Sequence, residues 1–184
     1  GAASGRTMKS DANGKGSWVK PHLLFEDTTN VNIFLGSGVG GSTTTATNNT
    51  VMGAYAGEDL TTGYENTGYG QWALKNITGT LGNTAIGHNT LSTNVNGNNN
   101  TALGWSALSG IEGSDNTALG AGAGGDNAGG SDNVYIGKEA GISNNGSGNV
   151  FIGNETGKST TGSNQLMIDN SSTSTPLIKG DFAA

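Results

Sequence analysis

The chain has 184 residues, a formal charge of -6 and only 32% hydrophobic residues, against 34 glycines. That balance excludes a thick globular core, and without a basic footprint it disfavours nucleic acid and anionic membrane surfaces as partners. The absence of Cys removes disulfides and thiolate metal sites, and no apolar run reaches the roughly 18 residues of a membrane span. In chain order, residues 1–31 carry no repeat and read as an N-terminal connector. Short strand-like stretches then follow, each closed by glycine: NIFLG (32–36), NTVMG (49–53), NTGYG (66–70), NTAIG (83–87), NTALG (100–104), NTALG (116–120), NVYIG (133–137) and NVFIG (149–153). Residues 164–184 fall outside this array and read as a C-terminal capping or exit segment.

The first stretch, NIFLGSGVGG, contains a Gly-x-Gly-x-x-Gly triplet at Gly36, Gly38 and Gly41. A dinucleotide site needs a helix opening at those glycines and a crossover of some 30 residues. Here the next strand arrives after 17 residues, and Gly38 is replaced in register by Tyr55, Trp72, Asn89 and Ser106. The triplet is one variant of the repeat. Successive Asn positions are 17, 17, 17, 17, 16, 17 and 16 residues apart. With 23 Asn and 23 Thr, the composition suits turns and stacking rather than helices. The sequence therefore predicts an all-β solenoid over 32–163, about eight coils of 16–17 residues, each adding one rung to a parallel sheet. The repeated Asn fits an amide ladder or a turn, and the repeated Gly a bend that admits no side chain.

Alternation places residues one and three after each Asn on one face, as in Thr50/Met52, Thr84/Ile86, Thr101/Leu103, Thr117/Leu119, Val134/Ile136 and Val150/Ile152. We expect that face inside the coil. The residue between them is Phe34, Val51, Gly68, Ala85, Ala102, Ala118, Tyr135 and Phe151 in turn, apolar throughout. A strand apolar on both faces is covered on both. A single coil cannot supply the second cover, so Phe34, Val51, Ala85, Ala102, Ala118, Tyr135 and Phe151 are expected at an interface with other copies, under cyclic symmetry.

No acid, base and nucleophile recur together, so an enzyme is not expected. His22 and His88 are the only histidines, and Glu58, Asp59, Glu65 and Glu112 are scattered like solvated loop charge. No cofactor is implied. Asp126 and Asp132, in GGDNAGGSDN (124–133), and the stretch DANGKG (11–16) are weak calcium candidates, better explained as turns because the calcium-roll period and an acidic closure are missing. Tyr55, Trp72, His88 and Trp105 lie one or two residues after successive repeat glycines. They could stack on sugar rings, or pack against a neighbouring rung or chain.

The tandem NTAIGxxTL, NTALGxxAL and NVYIGxxAG units resemble the head repeats of trimeric autotransporter adhesins. They also resemble the arrays of phage tail fibres and of the mosaic adhesive trimeric fibres of predatory bacteria. SDANGKGSWVKP (10–21) is similar to a segment that often precedes such arrays, and TPLIKGDF (175–182) to an exit element that often leads to a chaperone domain. The resemblance implies a left-handed parallel β-roll or β-helix assembled as an intertwined or side-by-side homotrimer. It further implies an extracellular cell-surface or virion fibre for adhesion or host recognition, with a glycan or outer-surface protein as partner. Two alternatives stand beside it. One is an ice-binding solenoid on the aligned Thr50, Thr67, Thr84, Thr101 and Thr117, weakened here because Val134 and Val150 continue that row and suggest an inward position. The other is a polysaccharide-degrading fibre of the tailspike kind.

Overall fold

The computed structural model describes residues 7–10, 16–19, 25–27, 31–41, 45–126, 129–172 and 175–182. His22 and most of the DANGKG stretch lie outside them. The described residues form strands and turns with no helix. Strands β1 (Thr7–Ser10) and β2 (Gly16–Val19) pair antiparallel as a separate two-stranded sheet. All others belong to one sheet in strict chain order, which makes the chain a β-solenoid of about eight turns.

Strand β3 (Phe25–Asp27) opens this sheet, antiparallel to β4 (Asn32–Leu35). Parallel rungs follow at β5 (Thr50–Met52), β6 (Thr67–Tyr69), β7 (Thr84–Ile86), β8 (Thr101–Leu103), β9 (Thr117–Leu119), β10 (Val134–Ile136) and β11 (Val150–Ile152). A further parallel rung, β12 (Gln165–Ile168), pairs Val150 with Leu166, and β13 (Ile178–Asp181) turns back antiparallel on it. The register matches repeat position to repeat position throughout, for example Thr84 with Thr101 and Ala85 with Ala102. A 16- or 17-residue coil leaves each strand's edge groups for the next coil to satisfy, so hydrogen bonding is continuous along the axis.

The repeated Asn is a clasp in two directions. Asn49 donates its backbone N–H to Asn32 Oδ1 at 2.9 Å and its amide to the same oxygen at 3.0 Å, linking coil to coil. The same amide nitrogen also donates to the Gly63 carbonyl at 2.9 Å, closing its own coil. Asn66, Asn83 and Asn116 repeat both links. All eight of these Asn are buried. A buried amide is stable there because its donors and acceptor are matched.

The repeat glycine sits where a Cβ cannot. At Gly87, φ is +133° and a Cβ would stand 2.5 Å from the Gly104 carbonyl oxygen of the next coil. That contact is repeated down the column of glycines, so close stacking of the bends requires glycine at each.

Core volume is shared between two positions six residues apart. Where the middle strand residue is small, as at Gly68, Ala85 and Ala102, the later position is Leu74, Leu91 or Leu108, all fully buried. Where the strand residue is large, as at Phe34, Tyr135 and Phe151, the later position is Gly40, Gly141 or Gly157. A Cβ at Gly157 would meet the Phe151 ring at 2.5 Å. At this pair of positions no coil holds two bulky side chains, and further buried residues such as Leu60, Ile77 and Ile111 fill the rest of the thin interior. Coil six is small at both positions, Ala118 and Gly124, and Leu108 and the Tyr135 ring reach against Gly124 from the coils on either side.

Candidate functional site

The burial pattern reverses the expected faces. Phe34, Val51, Ala85, Ala102, Ala118, Tyr135 and Phe151, expected between copies, are at most 5% exposed and fill the interior of their own coil. They offer no surface to a neighbour. The row of Thr50, Thr67, Thr84, Thr101, Thr117, Val134 and Val150, expected inside, lies on the outer face, partly or fully exposed. Alternation pairs residues on a face but does not say which face is inside. The Asn decides it: its buried clasp points inward, and the residue two places on shares that side.

The outer sheet face therefore carries two columns. One is the Thr and Val row. The other, three residues after each Asn, is Leu35, Met52, Tyr69, Ile86, Leu103, Leu119, Ile136 and Ile152. Tyr69, Ile86, Leu103, Leu119 and Ile136 are 37–46% exposed. At about 4.8 Å per rung this apolar column runs roughly 35 Å without a polar interruption. Long contiguous apolar surface is uncommon on monomeric proteins.

The aromatic residues singled out in the sequence stand at the first bend after the repeat glycine. Tyr55 and Trp72 occupy its second position and His88 and Trp105 its first, on four successive coils. Tyr55, Trp72 and Trp105 are exposed and His88 is half-buried. Of the four, Trp72 and His88 are in ring contact, with centroids 5.1 Å apart and planes tilted by 56°. His88 Nδ1 is buried there without a hydrogen-bond partner. Trp72 also lines an open groove of about 230 Å³ with Lys75, Asn76, Asn89, Ser92 and Thr93. Sequence reasoning missed these five polar residues. They occupy the second, fifth and sixth positions after the glycine on two adjacent coils, so reading the repeat as columns would have found them.

Asp126 and Asp132 are both exposed, and no cluster of three His, Cys, Asp or Glu side chains forms among the described residues. Glu58 faces Lys75 at 3.6 Å, while Asp59, Glu65 and Glu112 lie apart at exposed positions. The strongest charge group is at coils seven and eight, where Lys158 donates to Glu139 at 2.6 Å and Lys138 lies 3.4 Å from Glu139. The Lys158 hydrogen bond, then that of Lys138, holds the Glu139 carboxyl below the usual range, and Glu139 in turn raises Lys158. No family model, curated protein or solved structure matches this chain.

Proposed function

We propose that this chain is a non-enzymatic segment of a homotrimeric extracellular fibre, on a cell surface or a virion, serving adhesion or host recognition. The apolar column from Leu35 to Ile152 carries the reading: it is an outward, regular, eight-rung surface that a second copy of the same chain can match rung for rung. Two further copies, arranged around a common axis, bury it. The repeat resemblance supports the same assembly and a left-handed wind. In a trimer each weak surface site is presented three times, so avidity compensates for low single-site affinity.

Native mass by light scattering after size exclusion tests this reading. A stable species near three times 18.3 kDa is expected. Leu103→Glu with Leu119→Glu should dissociate it, because both side chains face outward and their loss leaves the coil interior intact. A wild-type species of 18.3 kDa would overturn the fibre reading.

A second reading gains from the outward position of Thr50, Thr67, Thr84, Thr101 and Thr117, which form a straight ladder on the parallel sheet. The inward position that counted against an ice-binding solenoid does not hold. Thermal hysteresis at micromolar protein from a monomer would favour ice over a fibre, since both readings use the same face.

A further inference from the structure

We infer that the groove between coils three and four is a binding site for one neutral pyranose ring, with Trp72 as the stacking platform. The inference deepens the fibre reading and rests on it only for its biological setting.

Trp72 shares the left-handed bend of its column, as Tyr55 and Asn89 do on the flanking coils. Its φ is +61°, a left-handed conformation that a bulky side chain adopts at a cost. The backbone is fixed there because Trp72 N–H donates to the Ala54 carbonyl at 3.1 Å. His88 packs against the ring at 5.1 Å, yet Trp72 stays 37% exposed. A rigid, half-open aromatic face beside a concavity presents an apolar platform to the C–H face of a sugar.

The remaining walls supply hydroxyl recognition. The Asn76 carboxamide is half-buried and has no hydrogen-bond partner among the described residues. Asn89 donates its amide to Ser106 Oγ at 3.2 Å, leaving Oδ1 to accept. Thr93 donates its hydroxyl to the Ser109 carbonyl at 2.6 Å, which likewise leaves its oxygen able to accept. Lys75 is balanced by Glu58 at 3.6 Å, so the groove favours an uncharged ligand. Its volume of about 230 Å³ lies below the roughly 300–1,000 Å³ of drug-sized pockets and suits a single ring.

The same three positions differ on the flanking coils. Between coils two and three they are Tyr55, Glu58 and Asp59 against Trp72, Lys75 and Asn76, which is a charged surface. Between coils four and five they become Asn89, Ser92 and Thr93 against Ser106, Ser109 and Gly110, without an aromatic. An aromatic face combined with neutral amides and hydroxyls arises at the groove between coils three and four.

Saturation-transfer NMR with a panel of methyl glycosides, neutral hexosides and N-acetylhexosaminides together with a sialoside, tests the assignment. Light scattering on the same samples reads the assembly independently. Transfer to ring protons of at least one neutral glycoside is expected, about tenfold weaker in Trp72→Asn, the weight of one aromatic contact. Asn suits that position because Asn89 holds the same left-handed conformation one coil later. Trp105→Ala should bind as the parent does. No transfer from any neutral glycoside overturns the site, as does a response to the sialoside alone or full binding by Trp72→Asn. A trimer that binds no glycoside sinks this inference and leaves the fibre reading standing, whereas a monomer that binds through Trp72 does the reverse.

Discussion

Exchanging the bulky residue between the two inner walls of coil eight tests the packing rule directly. Phe151 is fully buried and Gly157, six residues on, has φ +66° with its Cα against the ring. Phe151→Ala alone should cost about 3–5 kcal/mol, the usual loss for emptying an aromatic site. Gly157→Leu alone forces a Cβ to 2.5 Å from the Phe151 ring. Overpacking of about 1–3 kcal/mol and left-handed Leu strain of about 1–2 kcal/mol make it comparably harmful. Added independently, the two would remove about 5–10 kcal/mol, much of the stability of an ordinary domain. The double variant instead recreates the Ala85/Leu91 pairing, in which Leu91 is fully buried at φ +50°. The lost ring contact with Tyr135, 5.8 Å away, and the Leu strain remain, so it should lie about 1–3 kcal/mol below the parent. Urea unfolding followed by circular dichroism, at one fixed protein concentration, gives all four corners of the cycle. A double variant as unstable as the sum of the singles would refute shared core volume as the reason for the alternation.

Three further outcomes follow from other columns. Asn83→Ala strips the buried Asn100 N–H of its acceptor and the coil of its clasp to the Gly97 carbonyl, and should lower stability by about 2–4 kcal/mol in the same urea assay. Gly87→Ala meets the Gly104 carbonyl at 2.5 Å, and because backbone opposes it there is no cheap relaxation; loss of cooperative unfolding or of soluble protein is expected, and a melting temperature within about 2 °C of the parent would contradict the column geometry. Glu139 has a depressed folded pKa, so its contribution is present above the unfolded value near 4.5 and is lost as pH falls through the lower folded value. Acid unfolding of Glu139→Gln should therefore show a shallower limb below about pH 4.5, an effect that fades in high salt because the pair is partly exposed.

The coil count, the register and the closing glycines were legible because stacking forces one residue type to recur wherever backbone approaches backbone. Inside and outside were not. Ala85 and Ile86 are both apolar, and the period of two is silent about which of them is buried. The missing information lay six residues further on, where Leu replaces Gly only if the strand residue is small. Left-handed turns were equally hidden, since Tyr55, Trp72, Leu74 and Leu91 all have positive φ and none is a residue that local preference would place there. Ladder bonds above and below each coil, such as Leu74 N–H to the Thr90 carbonyl at 3.0 Å, override that preference. The groove beside Trp72 went unseen for a related reason: its residues come from two coils, Trp72, Lys75 and Asn76 from one and Asn89, Ser92 and Thr93 from the next, and meet only across the rung spacing.

On the proposed fibre reading, the reversal of faces changes what a neighbouring copy would supply. Had the small residues Ala85, Ala102 and Ala118 pointed outward, close backbone approach between chains would have been the rule. Ile86, Leu103 and Leu119 point outward instead, so on the fibre reading the contact would be one of interdigitating aliphatic side chains with the adjoining Thr column at its rim. Such a contact tolerates exchange among Leu, Ile and Met but not a charge, because a carboxylate buried there without a partner loses its hydration with nothing to replace it. On the trimeric reading the repeat is therefore constrained on four counts at once: the Asn for the coil, the closing Gly for the stacked bends, the Leu or Gly for the interior, and an uncharged side chain three residues after the Asn for the partner chain. The positions left free to vary are the first and second after the closing glycine, which is where Tyr55, Trp72, His88 and Trp105 stand. A fibre built this way can change what it binds without changing how it folds.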